Sequence, residues 1–92
     1  MSATTIWKFV VPIEDQPTVM MPGGARILSV GYQEPDIVIW ALVEPKGIVI
    51  MERPLSLRGT GHPADGLGDL PFIGTVRVPP SMWFHLWDGV PA

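Results

Sequence analysis

Ile37-Val38-Ile39-Trp40-Ala41-Leu42-Val43 is an unbroken apolar run without a charged or hydroxyl-bearing side chain. Such a strand has no polar face to give to water, so both its faces need cover and it belongs at the centre of a sheet. Its flanks delimit it. Glu34-Pro35-Asp36 breaks the chain before it, and Glu44-Pro45-Lys46-Gly47 after it puts proline second and glycine fourth, the pattern of a type I turn. Working outward, Arg26 to Tyr32 reads as a strand with Leu28, Val30 and Tyr32 on one face, and Pro22-Gly23-Gly24 ahead of it is a strong turn signal. On the other side, Ile48 to Leu57 is expected to fold back antiparallel onto the central run. Pro54 has no amide proton to give to a ladder, so it is expected at an edge or a bulge, or to break that strand.

Toward the N-terminus, Met1 to Thr5 reads as a loose start and Ile6 to Val11 as a strand with Trp7, Phe9 and Val11 on one face and Lys8 on the other. Pro12 to Pro17 is a polar, proline-bounded connection, and Thr18 to Met21 resumes an extended pattern, so a first hairpin is expected between these two strands. Trp7 and Trp40 fit a core. Beyond Leu57, Ala64 to Pro71 holds too much glycine for more than one helical turn and reads as a loop. Phe72 to Val78 and Met82 to Trp87 are two further strands turned by Pro79-Pro80. Seven short strands at turn-marked spacing imply one all-β domain over residues 1–92, a small antiparallel β-sandwich or partly open barrel.

Composition bounds the function. With 47% hydrophobic and 16% charged residues and a net charge of -3, the chain is too apolar to be disordered. Its mean hydropathy of +0.30 exceeds what one small core absorbs, so a homo-oligomer is expected. Six scattered basic residues and a pI near 5.1 make no nucleic-acid footprint, because neutralising backbone phosphates takes clustered Lys and Arg. The absence of cysteine excludes disulfides and thiolate zinc sites and fits a cytoplasmic setting. Ile6 to Val11 is short and holds Lys8, and Ile37 to Val43 is far below the roughly 18 residues that span a bilayer, so no export signal and no membrane span is expected.

Chemistry-bearing residues concentrate around Arg58-Gly59-Thr60-Gly61-His62-Pro63. A catalytic trio of Thr60, His62 and Asp65 is too close in sequence for a spatially assembled triad, and threonine is an uncommon internal nucleophile. His62 and His85 with Asp65 and Asp69 match no metal-ligand spacing. Gly59-Thr60-Gly61 lacks the helix that a phosphate loop needs immediately after its glycines, which leaves either a backbone nest for an anion helped by Arg58 or a bend where strand gives way to loop. Trp83 and Trp87 flank His85 on one face of the last strand, opposite Met82, Phe84 and Leu86, so both faces of that strand are apolar and one of them is free for a subunit interface or for a stacked base. The expectation is a protein without catalysis, metal or cofactor, whose ligand-binding residues are Arg58, Thr60, His62, Trp83, His85 and Trp87.

Ile6-Trp7-Lys8-Phe9, the segment Met21 to Val30, Trp40-Ala41-Leu42-Val43, the Arg58 to Pro63 stretch, Phe72-Ile73-Gly74-Thr75-Val76 and the Phe84-His85-Leu86 close together resemble a family of small, uncharacterised proteins common in tailed bacteriophages and prophages. Order and spacing agree over nearly the whole chain. The longer Ile48 to Leu57 segment and the Trp83 and Trp87 pair depart from the pattern. The resemblance brings no catalytic residues with it; it implies a phage accessory protein, a class that often counteracts host defence stoichiometrically. The expected function is therefore sequestration of a small nucleotide-like immune signal in the infected cell, at a site shared between protomers. The alternatives are a protein-protein inhibitor or adaptor that uses the exposed aromatic strand, or a virion-associated structural protein.

Overall fold

The computed structural model describes residues 4–46 and 49–92. Seven strands follow in order: β1 (Thr5–Val11), β2 (Thr18–Pro22), β3 (Arg26–Gln33), β4 (Asp36–Val43), β5 (Ile50–Gly59), β6 (Phe72–Val78) and β7 (Met82–Asp88), with a 3₁₀ turn at Leu67–Asp69 inside the loop expected there. They form two antiparallel sheets, β1-β4-β3 and β2-β5-β7-β6, packed face to face and not closed into a barrel. Among the described residues no helix is long and apolar enough to cross a membrane.

The central position of β4 follows from its composition. Its odd-numbered residues Ile37, Ile39, Ala41 and Val43 are at most 2% exposed and meet Val19, Met21, Leu55, Leu57, Phe84 and Leu86 from the other sheet. Each fully buried Val, Ile or Leu side chain contributes about 1.5–3 kcal/mol. Its even-numbered residues face outward, and that face is covered only in part: Val38 is buried at 2%, whereas Trp40 and Leu42 are half-buried. Trp40, expected in the core, lies on this outer face with its ring across Gly31, where a Cβ would stand 2.8 Å from the indole. Trp7 does point inward, paired with Ala41, but near the open end of β1, and remains 37% exposed.

Strand positions match the reading of the sequence more closely than strand partners do. β1 pairs with β4, not with β2, so the expected first hairpin does not form. β5 does not return onto β4; it crosses to the other sheet, where Ile50 to Pro54 pair with β2 and Leu55 to Gly59 with β7. Pro54 sits at this handover and does not interrupt the strand. Its missing amide proton costs nothing there, and its carbonyl accepts from the Gly89 amide at 3.0 Å, while the Leu55 amide turns to Pro17 at 2.9 Å. In β3 the register shifts between Ile27 and Ser29, so Leu28 is the extra residue of a bulge. Ile27, Val30 and Tyr32 therefore pack on the core, and Leu28 is 43% exposed instead of joining them. Ile48 and the glycine of the Glu44 to Gly47 turn lie outside the described residues, as do Met1, Ser2 and Ala3 of the expected loose start, whereas Thr5 already belongs to β1.

Two polar devices fix the handover. The Arg53 guanidinium forks onto the Asp88 carboxylate, with Nε to Oδ1 at 2.9 Å and Nη2 to Oδ2 at 2.6 Å, and its Nη1 donates to the Ala25 carbonyl at 2.8 Å. The hydrogen bond to Asp88 raises the Arg53 pKa above its usual value against the opposing effect of burial, so the guanidinium keeps its charge. Ser56, fully buried, donates its hydroxyl to the Gly89 carbonyl at 2.7 Å, which leaves no orphan polar group beneath the C-terminal segment.

Candidate functional site on the outer face of the last strand

Alternation along β7 separates two chemistries, as the sequence implies. Phe84 and Leu86 enter the core, and Trp83, His85 and Trp87 stand on the outer face. Pairing on both sides of β7 then assembles cross-strand rows on that face. Trp83 lies opposite Arg77, His85 lies between Arg58 and Thr75, and Trp87 lies between Ser56 and Phe72.

His85 is held from both sides. Its Nε2 is 2.7 Å from the Thr60 hydroxyl and its Nδ1 is 2.8 Å from the Thr75 hydroxyl. A neutral imidazole offers one donor and one acceptor, so one threonine donates to the ring while the other accepts from it. The ring is thereby fully satisfied, and it orients Thr60 at the start of the loop. The Thr60 amide donates to the Trp83 carbonyl at 3.1 Å and the His62 amide to the Gly59 carbonyl at 3.1 Å. Between them Gly61 adopts φ 89°, a conformation that a side chain would resist. This turn lays the His62 ring over Gly59, with ring atoms 3.6–3.7 Å from where a Cβ would stand.

The result is a cleft of about 370 Å³ between loop and hairpin, lined by Gly59, Thr60, His62, Ser81, Met82 and Trp83. Trp83 is 49% exposed, so an aromatic face is available at its wall. A second cleft, about 270 Å³, lies on the far side of His62 and is lined by Asp15, Arg58, Pro63 and Asp65. Arg58 is already engaged there: Nε donates to the Pro63 carbonyl at 3.1 Å, and Nη1 to the carbonyls of Asp15 at 2.6 Å and Leu57 at 3.0 Å. It works as a latch between loops, with two carboxylate-bearing residues beside it, which is a poor setting for an anion.

The six residues singled out in the sequence thus divide. Thr60, His62 and Trp83 line one cleft, and His85 supports it from beneath. Arg58 faces the second cleft, and Trp87 packs against Phe72 with ring centroids 5.3 Å apart at the other end of the face. The Thr60 hydroxyl meets His85 and not His62, so Thr60, His62 and Asp65 form no relay. Among the described residues no three His, Asp or Glu side chains come together in a way that would hold a metal ion. Thr75, Arg77 and Ser81 are not singled out by the sequence, because threonine and arginine in a strand and serine in a turn are ordinary; for Thr75 and Arg77 the only signal is the alternation that puts them in register with His85 and Trp83, and Ser81 has none.

Over residues 2–92 the chain matches the family described as "Domain of unknown function (DUF7352)". It belongs to that family. The whole outer face of β7, the Trp83 cleft and the Arg58 latch included, therefore lies within the DUF7352 domain. No curated protein and no solved structure matches the chain.

Proposed function

We propose that this DUF7352 protein is a non-catalytic binding protein that captures the planar head of a nucleotide-like molecule on Trp83. The observation that carries this reading is the convergence of Thr60, His62 and Trp83, from two separate segments, on one cleft of about 370 Å³, with the Thr60 hydroxyl oriented by His85. Stacking a base on an exposed indole contributes about 1–3 kcal/mol, and every base offers a face for it. Thr60, Ser81 and His62 supply hydrogen-bonding groups for the base edge. Arg77, across the ladder from Trp83, gives Nη2 to the Pro80 carbonyl at 2.8 Å and, with no carboxylate-bearing residue in the adjoining cleft, keeps its other donors for an attached phosphate, in place of Arg58. Binding of this kind is stoichiometric and fits sequestration of an immune signal in the cytoplasm of an infected bacterium; the phage setting rests on the family resemblance of the sequence segments.

Calorimetric titration with cyclic AMP, a cyclic dinucleotide and ADP-ribose tests the reading. Saturable binding of at least one of them, weakened at least tenfold in Thr60→Val, is the expected result. Heat signals at the dilution baseline for all three would overturn it. A second reading, an inhibitor or adaptor that docks a protein on the aromatic strand, is favoured by the exposure of both Phe72 (55%) and Trp83 (49%) at opposite ends of one face. Pull-down from infected cells separates the two: a stoichiometric protein partner lost in Trp83→Ala, without nucleotide binding, supports the docking reading.

A further inference from the structure

The four edge strands of the sandwich are not alike. β2 is only five residues long, follows Pro17 and ends on Pro22. β3 carries the bulge at Leu28, β6 carries one at Ile73, and these two edges face each other, with the Val30 methyl 3.0 Å from where a Gly74 Cβ would stand. Prolines, bulges and covered edges are the means by which sheets avoid joining edge to edge. Among the described residues β1 has neither proline nor bulge, and its packing on β2 is slighter than that of β3 on β6. Its seven residues run in unbroken register with β4 and include neither proline nor glycine. Its single charge does not guard the edge, because the Lys8 ammonium donates to Gln33 Oε1 on β3 at 2.6 Å and is thereby drawn inward across β4. Beside the open edge stand Ile6 (57% exposed) and Val10 (52%) on the outer face and Trp7 (37%) on the inner one.

We propose that β1 pairs antiparallel with β1 of a second copy of this chain, joining two three-stranded sheets into one continuous six-stranded sheet across a two-fold axis. A two-fold contact needs an edge that complements itself. With the axis at Lys8, Ile6 lies beside Val10 of the second copy and Trp7 beside its Phe9, so apolar meets apolar on both faces. Meanwhile each lysine ammonium is held back over its own sheet. The area agrees with this. The chain exposes 5788 Å², against about 5,300 Å² for a monomeric protein of 10.1 kDa, an excess of about 500 Å². The exposed side chains of Ile6, Trp7 and Val10 belong to that surplus surface.

Sedimentation equilibrium of the full chain, with two variants, tests the pairing independently of any ligand. The intact protein is expected to show the two-chain mass at millimolar concentration, and Ile6→Lys/Val10→Lys the one-chain mass with an unchanged circular dichroism spectrum, since both side chains are exposed. In this cysteine-free chain, Lys8→Cys sets two thiols on strands about 4.5–5.5 Å apart and is expected to oxidise to a covalent dimer, whereas Met20→Cys on β2 is not. A one-chain mass for the intact protein at every concentration would overturn the proposal. So would a two-chain mass that survives the double lysine substitution while Lys8→Cys fails to cross-link.

Discussion

Trp83 and Trp87 stand on the same face of the same strand, yet their surroundings make them different residues. At the Trp87 end the face is closed over the ring: the indole lies tilted on Phe72 at 5.3 Å and beside His85 at 6.4 Å, over buried Ser56, and the next residue, Asp88, turns to the inner face to hold Arg53. At the Trp83 end the face is open, and the indole forms one wall of a cleft whose other wall is the Thr60 to His62 turn. The difference teaches that an aromatic pair on one strand is not one site. The partner rows decide, since Phe72 on β6 fills the space beside Trp87, and the loop after β5 leaves space beside Trp83.

If the closed end serves stability and the open end serves binding, substitutions at the two ends should separate the two properties. The largest loss of stability is expected for Asp88→Ala, which leaves the part-buried Arg53 guanidinium without its bidentate partner; about 2–3 kcal/mol should disappear from the urea unfolding free energy. Trp87→Ala comes next at about 2 kcal/mol, below the full cost for a wholly buried indole because the ring is only half-buried. Thr75→Val sits between the ends: it removes one hydrogen bond to His85 and is expected to cost about 1 kcal/mol, while loosening Thr60 enough to weaken nucleotide binding. Trp83→Ala should cost least, about 0.5 kcal/mol, since the side chain is already half in water. An inverted order, with Trp83→Ala more damaging than Trp87→Ala, would break the comparison.

Much of the fold is legible in the residues themselves. Alternation and the proline and glycine punctuation place all seven strands, because faces and breaks are local properties. Partners are not local. Nothing in Thr18 to Met21 says that it pairs with Ile50 to Pro54 in place of β1, and the switch of β5 from β2 to β7 at Pro54 depends on a proline whose lost donor is harmless only where the ladder changes sides. The bulge at Leu28 is equally silent, since Ile27-Leu28-Ser29-Val30 offers an apolar residue to the core in either register. Of the site, residue types were readable and convergence was not. Arg58 beside two glycines has the composition of an anion nest, but loop carbonyls of Asp15 and Pro63 take its donors, and their approach is a matter of tertiary structure.

The most direct measurement is a side-by-side calorimetric titration and urea unfolding of the intact protein, Trp83→Ala and Trp87→Ala with the same nucleotides. The expected result is binding abolished in Trp83→Ala at nearly unchanged stability, and binding kept by the folded fraction of the less stable Trp87→Ala. Equal binding by the intact protein and Trp83→Ala would contradict it.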